Sequence, residues 1–329
     1  MNQTQLSVEE SAHNLEKTAD VQLDITVEQL KKLVSPRAFT GETMLLNMGP
    51  QHPSTHGVLR LLLELDGETV VSCIPDIGFL HTGIEKTHEG KTYLKGLPLT
   101  DRTDYLAPMI NNLAYCGAIE KLCGIDVPLR AQYLRVILAE LTRMNSHLVW
   151  LGTHALDIGA MSVFLYCMRE RELLLDVFES VSGARMMSSY FRPGGLWRDV
   201  PDVFFELVRK VMDVFPGRII EYERLLKENP IWRERTVGIG VISKADAIAW
   251  GMTGPSLRGS GVNYDIRKAF PYSSYDHFDF SVPLGTRGDV YDRYRCRLDE
   301  FTQSLKIIKQ ALDRLPPGPV ITDDRKFSP

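Results

Sequence analysis

Residues 128–151, PLRAQYLRVILAELTRMNSHLVWL, read as one long helix. Pro128 stands at its first turn, where the amide that proline lacks would have no partner anyway. Leu134, Ile137, Leu138, Leu141, Met144, Leu148 and Leu151 then recur at steps of three and four, the period of a helix with a buried face. Arg135 and Arg143 fall off that stripe. Similar spacing covers Asp104 to Leu122, Val163 to Val181, Val203 to Val214, Arg218 to Lys227 and Val290 to Leu315. Upstream the pattern changes. Met44 to Met48, Val58 to Leu65 and Thr69 to Ile74 are short apolar runs, and Asp66-Gly67 between the last two is a hairpin signal. They predict a small antiparallel sheet, with Gly49 to Gly57 as the loop between its first two strands. Between Thr253 and Gly288 a stretch rich in Gly, Ser, Tyr and Pro reads as a long ordered loop or an irregular sheet.

The fold class is therefore α+β, a small N-terminal antiparallel sheet packed on a large helical bundle. Residues 1–41 are polar and weakly periodic, and read as an extended arm that orders against partners. Residues 42–329 are expected to form a single domain. Within it the sheet covers 42–80, the bundle 81–250, the ordered loop region 251–289 and a final helix 290–316.

The composition is that of an ordinary soluble globular protein, with 44% hydrophobic and 24% charged residues among 329. A net charge of −4 argues against a general nucleic-acid binder or a polybasic membrane anchor. No run approaches the roughly 18 apolar residues of a membrane span, and residues 1–20 hold no apolar core of a signal peptide. The expected location is cytoplasmic, free or docked from that side on a membrane complex. Five cysteines, Cys73, Cys116, Cys123, Cys167 and Cys296, form no Cys-x-x-Cys pair. Cys116 and Cys123 share a predicted helix, with Cα atoms roughly 10 Å apart, beyond disulfide reach. They read as buried apolar thiols.

The loop GPQHPSTHG, residues 49–57, carries the most chemistry. His52 and His56 stand four apart, a spacing that binds zinc on a helix. Pro53, Gly57 and the missing glutamate make this a loop instead. Spacing alone favours a tight turn with two solvated histidines; the sharper reading is a pair of proton donors at a pocket mouth.

The whole string resembles the hairpin loop that lines the quinone-headgroup pocket in the D-subunit family of the proton-pumping NADH–quinone oxidoreductase, complex I. Four further stretches are similar to that family: LHTGIEKTHEGK at 80–91, TDRTDYL at 100–106, SGARMMSSYFRPGG at 182–195, and Gly254 to Arg293 with SGVNYDIR at 260–267. Five matches in the family's order, from Met44 to about Pro319, make the resemblance highly specific.

The resemblance implies a fold related to the large subunit of nickel–iron hydrogenases. It implies that His56 and Tyr105 hydrogen-bond the quinone carbonyls, with His52, Ser54 and Thr55 beside them and Asp157 as the carboxylate associated with the histidine. Arg102 and Met187 would face the terminal iron–sulfur cluster, which the B subunit of the complex holds. The chain itself would bind no metal or cofactor, and quinone would be a substrate. The partners would be the B and C subunits and the membrane arm, on the cytoplasmic face of a bacterial cell membrane, with this chain peripheral. NADH would be oxidised elsewhere in the complex.

The chemistry suits these residue types. Reducing a quinone to a quinol takes two electrons and two protons, so two donors must stand near the carbonyl oxygens. A histidine with a reference pKa near 6.5 and a tyrosine near 10 can both donate to an anionic quinol. A carboxylate beside the histidine raises its pKa and fixes its tautomer. Each residue also has a plainer reading. Tyr105 could start a helix with its hydroxyl at the surface, Asp157 could cap the next helix, and Arg102 could be an exposed partner of Asp101 or Asp104, worth little. Glu85, Lys86 and Lys91 read as a structural charge network, and His81, His88, His147, His154 and His277 as structural or solvated.

Two rival functions exist. A nickel enzyme would need two Cys-x-x-Cys pairs that this sequence lacks. A scaffold that only joins other subunits would not need His56, Tyr105 and Asp157 together. Three departures from the family are visible. The chain stops at Pro329 whereas members continue into a C-terminal segment, Thr82 stands where some mitochondrial relatives carry arginine, and Met187 where many carry histidine.

Overall fold

The computed structural model describes residues 43–52 and 55–323. The expected arm, 1–41, lies outside them. The described residues fall into two compact units that divide after His81. The class is α+β, as the pattern predicts.

The first unit is a three-stranded antiparallel sheet in the order β1 (Met44–Met48), β2 (Arg60–Asp66), β3 (Thr69–Asp76). Met48 pairs with Leu61 and Met44 with Leu65, so the loop between β1 and β2 leaves from the Met48 end. Asp66 pairs with Thr69, leaving Gly67 and Glu68 as the two-residue turn the sequence signals. A register shift between Glu64 and Leu65 marks a bulge. Arg60 ties the three strands at one end, donating to Asn47 on β1 and to Asp76 on β3.

The second unit is helical. In chain order it holds α1 (Ile84–Glu89), α2 (Tyr93–Thr103), α3 (Pro108–Cys123), α4 (Leu129–Asp157), α5 (Met161–Ser182) and a short hairpin of β4 (Phe191–Arg192) and β5 (Gly195–Leu196). After it come α6 (Asp202–Leu226), α7 (Pro230–Thr236), α8 (Lys244–Ala249), α9 (Gly254–Gly259), α10 (Ile266–Ala269) and α11 (Val290–Asp313). Among the described residues no helix is long and apolar enough to cross a membrane.

Helix α4 is the axis of this unit. Its 29 residues span about 43 Å, and α3, α5 and α11 pack around it. All seven residues of the predicted stripe are fully buried. So are Val136, Ala139, Arg135 and Glu140, which lie off it. A helix buried nearly all round must pair every charge it carries. Arg135 donates to both Glu120 oxygens, at 3.0 and 2.6 Å, and to the carbonyls of Arg192 and Gly195. Glu140 accepts from Arg267 at 3.0 Å, Arg143 at 3.2 Å, Tyr275 at 2.6 Å and Ser304 at 2.7 Å. Burial pushes its pKa up, but the two arginines and the hydroxyls outweigh that and bring it to about 2. Burial lowers the pKa of His147 against the pull of Glu300, which it hydrogen-bonds at 2.6 Å and which Arg258 also holds.

These pairs order the loop region. Arg258, Asp265, Arg267 and Tyr275 all belong to it, and through them it docks on α4 and α11. Residues 251–289 carry α9, α10 and a single 3-10 turn, and no strand among the described residues.

Two helix boundaries differ from the periodicity. The pattern from Asp104 to Leu122 is interrupted: α2 ends at Thr103 and α3 starts at Pro108. A proline disfavours helical backbone in the residue before it, here Ala107, and forces a fresh start. The stretches Val203 to Val214 and Arg218 to Lys227 are instead one helix, α6, running through Pro216. Phe204, Val208, Val211, Phe215, Tyr222 and Leu226 form one buried stripe across the proline, and that packing outweighs the lost hydrogen bond.

Cys116, Cys167 and Cys296 are buried, which pushes each thiol up to about 12. Cys123 is exposed at the end of α3, against the expectation of burial, because the helix runs out of the core there.

Candidate functional site

The loop after β1 is shaped by Gly49. Its backbone sits at φ +87, and a Cβ would lie 2.1 Å from the Leu59 carbonyl oxygen, so only glycine lets the loop close at its base. Thr55 is the post inside it. The residue is buried, its hydroxyl donates to the His52 carbonyl at 2.8 Å, and its amide reaches the same oxygen at 3.1 Å. His52 and His56 are exposed, and His56 is held at φ +48. Left-handed backbone is uncommon outside glycine, although histidine enters it more readily than most side chains. Ser54 lies outside the described residues.

Tyr105 sits on the turn between α2 and α3. Asp104 shapes that turn, accepting the Leu106 amide at 3.1 Å on its carboxylate, while its carbonyl takes the Asn111 amide at 2.9 Å. Asn145 of α4 pins the next residue by donating to the Leu106 carbonyl. The result is a fixed turn on which Tyr105 is 44% exposed, beside exposed Asp104 and half-buried Leu106. It does not start a helix.

Asp157 is the last residue of α4. It does not cap α5, whose preceding residue is Ala160, with no side-chain cap. A carboxylate at a helix C-terminus faces the negative end of the macrodipole, a cost of about 0.3–1 kcal/mol. Against that cost, Asp157 favours the charged form of His154, three residues before it on the same helix. Asn145 and Asp157 are twelve residues apart, about 18 Å along the helix, so Asp157 lies well away from where α4 grips the Tyr105 turn.

Arg102 is exposed on α2 and donates to the Pro98 carbonyl at 2.6 Å. Its neighbour Asp101 is fully buried, with Arg102 Nη1 3.7 Å from Asp101 Oδ2. Arg102 is thus the exposed partner of Asp101 that the plainer reading describes, with the aspartate itself buried. Met187 lies in the segment between α5 and β4 at φ +53, partly buried. Asp101 connects these places, because its carboxylate also holds Ser189. The structure thereby brings Arg102 and the Met187 segment together through a residue the sequence did not single out. The nearest signal was the charge beside Arg102, and spacing cannot tell a buried partner from a solvated one.

Of the remaining histidines, His88 bridges the Ile84 and Gly96 carbonyls and His277 hydrogen-bonds Tyr133. Both are structural. Lys86 pairs with Glu89 at 2.6 Å on an open surface, and among the described residues Glu85 and Lys91 join no ion pair, so the expected charge network does not form. No group of three or more His, Cys, Asp or Glu side chains among the described residues could hold a metal ion.

The 49 kDa subunit family of respiratory-chain NADH dehydrogenase matches residues 157–329. The chain is 60% identical over 309 residues to the second D subunit of NADH-quinone oxidoreductase from Chloroflexus aurantiacus, across 93% of this chain and 75% of that protein. It is 61% identical over 283 residues to the D subunit from Geotalea uraniireducens, across 86% and 73%. It is 62% identical over 291 residues to the second D subunit from a Roseiflexus species, across 88% and 70%.

Proposed function

The chain belongs to the family of the 49 kDa subunit of respiratory-chain NADH dehydrogenase, and from that membership we propose that it forms, with the cluster-bearing B subunit, the site where quinone is reduced to quinol. The observation that carries this reading is Tyr105, an exposed hydroxyl on a turn pinned by Asp104, Asn111 and Asn145.

The terminal iron–sulfur cluster, which the B subunit would hold, would supply the two electrons. This chain supplies the two protons that complete the quinol. The Tyr105 hydroxyl donates at one carbonyl oxygen and the His56 imidazole at the other. Asp157 is the carboxylate that accompanies that histidine in this reading. His52, Ser54 and Thr55 complete the loop side, with Thr55 fixing the loop's shape. Arg102 and Met187 face the cluster. The chain is peripheral, on the cytoplasmic face of the bacterial cell membrane, in contact with the B and C subunits and the membrane arm, and quinone reduction is coupled to proton translocation.

The test is made in the assembled complex. Tyr105→Phe and His56→Ala should each abolish most quinone reduction, while NADH still reduces the terminal cluster, since that step lies upstream. Near-wild-type quinone reduction in both variants would leave the scaffold reading instead.

A further inference from the structure

Met187 and Ser189 adopt left-handed backbone, at φ +53 and +39, within three residues of one another. Neither residue type favours that region, and such conformations persist only where the surroundings over-determine them. At Ser189 the surroundings act on every polar group. Its amide donates to Asp101 Oδ2 at 3.1 Å, its hydroxyl donates to the same oxygen at 2.5 Å, and its carbonyl accepts from Arg192. On either side Ser188 and Tyr190 are buried, and the Tyr190 hydroxyl donates to the Arg198 carbonyl.

Asp101 Oδ2 also lies 3.7 Å from Arg102 Nη1. One buried oxygen thus touches both the segment that carries Met187 and the arginine of α2. Among the described residues neither Oδ1 of Asp101 nor Oδ1 of Asn112 accepts a hydrogen bond within range, although the Asn112 side chain lies close enough to Asp101 to favour its charged form. A buried carboxylate with an unsatisfied oxygen costs stability. Helix α2 could bury an apolar residue at this position at less cost, so the acid is kept for what it holds.

We propose that Asp101 is a positioning residue: its carboxylate seats the Met187 segment against Arg102 and so sets how these two side chains are presented to the terminal cluster on the B subunit. The inference rests on the reading that Arg102 and Met187 face that cluster. It assigns Asp101 no electron and no contact with quinone.

The experiment uses the assembled complex, with Asp101→Ala, Asp101→Asn, Ser189→Ala, Arg102→Ala and Met187→Leu. Hydrogen exchange is followed in peptides covering 184–192, and the cluster by its electron paramagnetic resonance spectrum and midpoint potential. Asp101→Ala should speed exchange of the Ser189 amide by roughly tenfold or more, the worth of a hydrogen bond to a charged group, and should change the cluster spectrum. Asp101→Asn keeps an acceptor for the Ser189 amide, so slow exchange should return. Ser189→Ala removes one donor without touching the acid and should change the spectrum in the same direction, which keeps the test open if Asp101→Ala does not assemble. Wild-type exchange and spectrum in Asp101→Ala, or in its absence a wild-type spectrum in Ser189→Ala, while Arg102→Ala alters the cluster, would overturn the proposal alone. A wild-type spectrum in Arg102→Ala and Met187→Leu as well would overturn the placement of the cluster, and the proposal with it.

Discussion

Glu140→Gln should be among the most destabilising substitutions that keep the volume of a core side chain. Glu140 is fully buried and its carboxylate answers Arg267 and Arg143, with Tyr275 and Ser304 donating to its two oxygens. Gln keeps an acceptor but leaves two guanidinium groups facing a neutral amide. Breaking a buried pair from one side costs about 3–5 kcal/mol. The depressed acidity of the carboxyl gives a second, order-of-magnitude figure. In the fold the carboxyl lies at about 2 against 4.5 for the free group, and a gap of about 2.5 units at 1.36 kcal/mol each is about 3 kcal/mol. The folded pKa is the lower one, so this stability is fully present above pH 4.5 and is lost as the pH falls toward 2. The gap between wild type and Glu140→Gln should therefore be about 3 kcal/mol at pH 7 and about 2 kcal/mol at pH 3.5. Pulse proteolysis along a urea gradient at the two pH values measures it, and tolerates low protein concentration. A gap below about 1 kcal/mol at pH 7 would refute the reasoning, as would a gap that grows on acidification.

Other outcomes follow from single positions. Gly195→Ala should cost roughly 2–3 kcal/mol, because Gly195 sits at φ +152 and a Cβ would lie 2.1 Å from the Val320 carbonyl oxygen; an unchanged urea midpoint would count against it. Iodoacetamide at pH 8 should label exposed Cys73 and Cys123 and spare Cys116, Cys167 and Cys296, whose thiols burial pushes up to about 12; faster labelling of Cys116 than of Cys123, read by peptide mass spectrometry, would contradict the buried placement. Met187 cannot titrate, so the potential of the terminal cluster in the complex should depend weakly on pH, whereas Met187→His should approach about 59 mV per pH unit. Histidine tolerates the φ of +53 at that position better than most side chains. A full one-proton slope in the wild type would show that another group titrates.

Much of the fold is written locally. The stripe along α4 lies in the core residue for residue, because a period of three and four depends only on the helix itself. The sheet register follows from a two-residue turn at Gly67, and the histidine loop is a loop because Pro53 and Gly57 interrupt it. The candidate site residues His56, Tyr105 and Asp157 come from the resemblance to the family, not from spacing or periodicity. What the amino-acid order could not determine is which charges lose their water. Arg135, Glu140, Arg267 and Asp101 look like solvated residues off the apolar stripe, and all four are buried. Their partners stand 15, 127 and 88 residues away, at Glu120, between Glu140 and Arg267, and at Ser189. A charge is cheap in water and costly inside the protein until a partner arrives from elsewhere in the chain. Burial and pairing of charge are therefore decided together, and only by the tertiary structure.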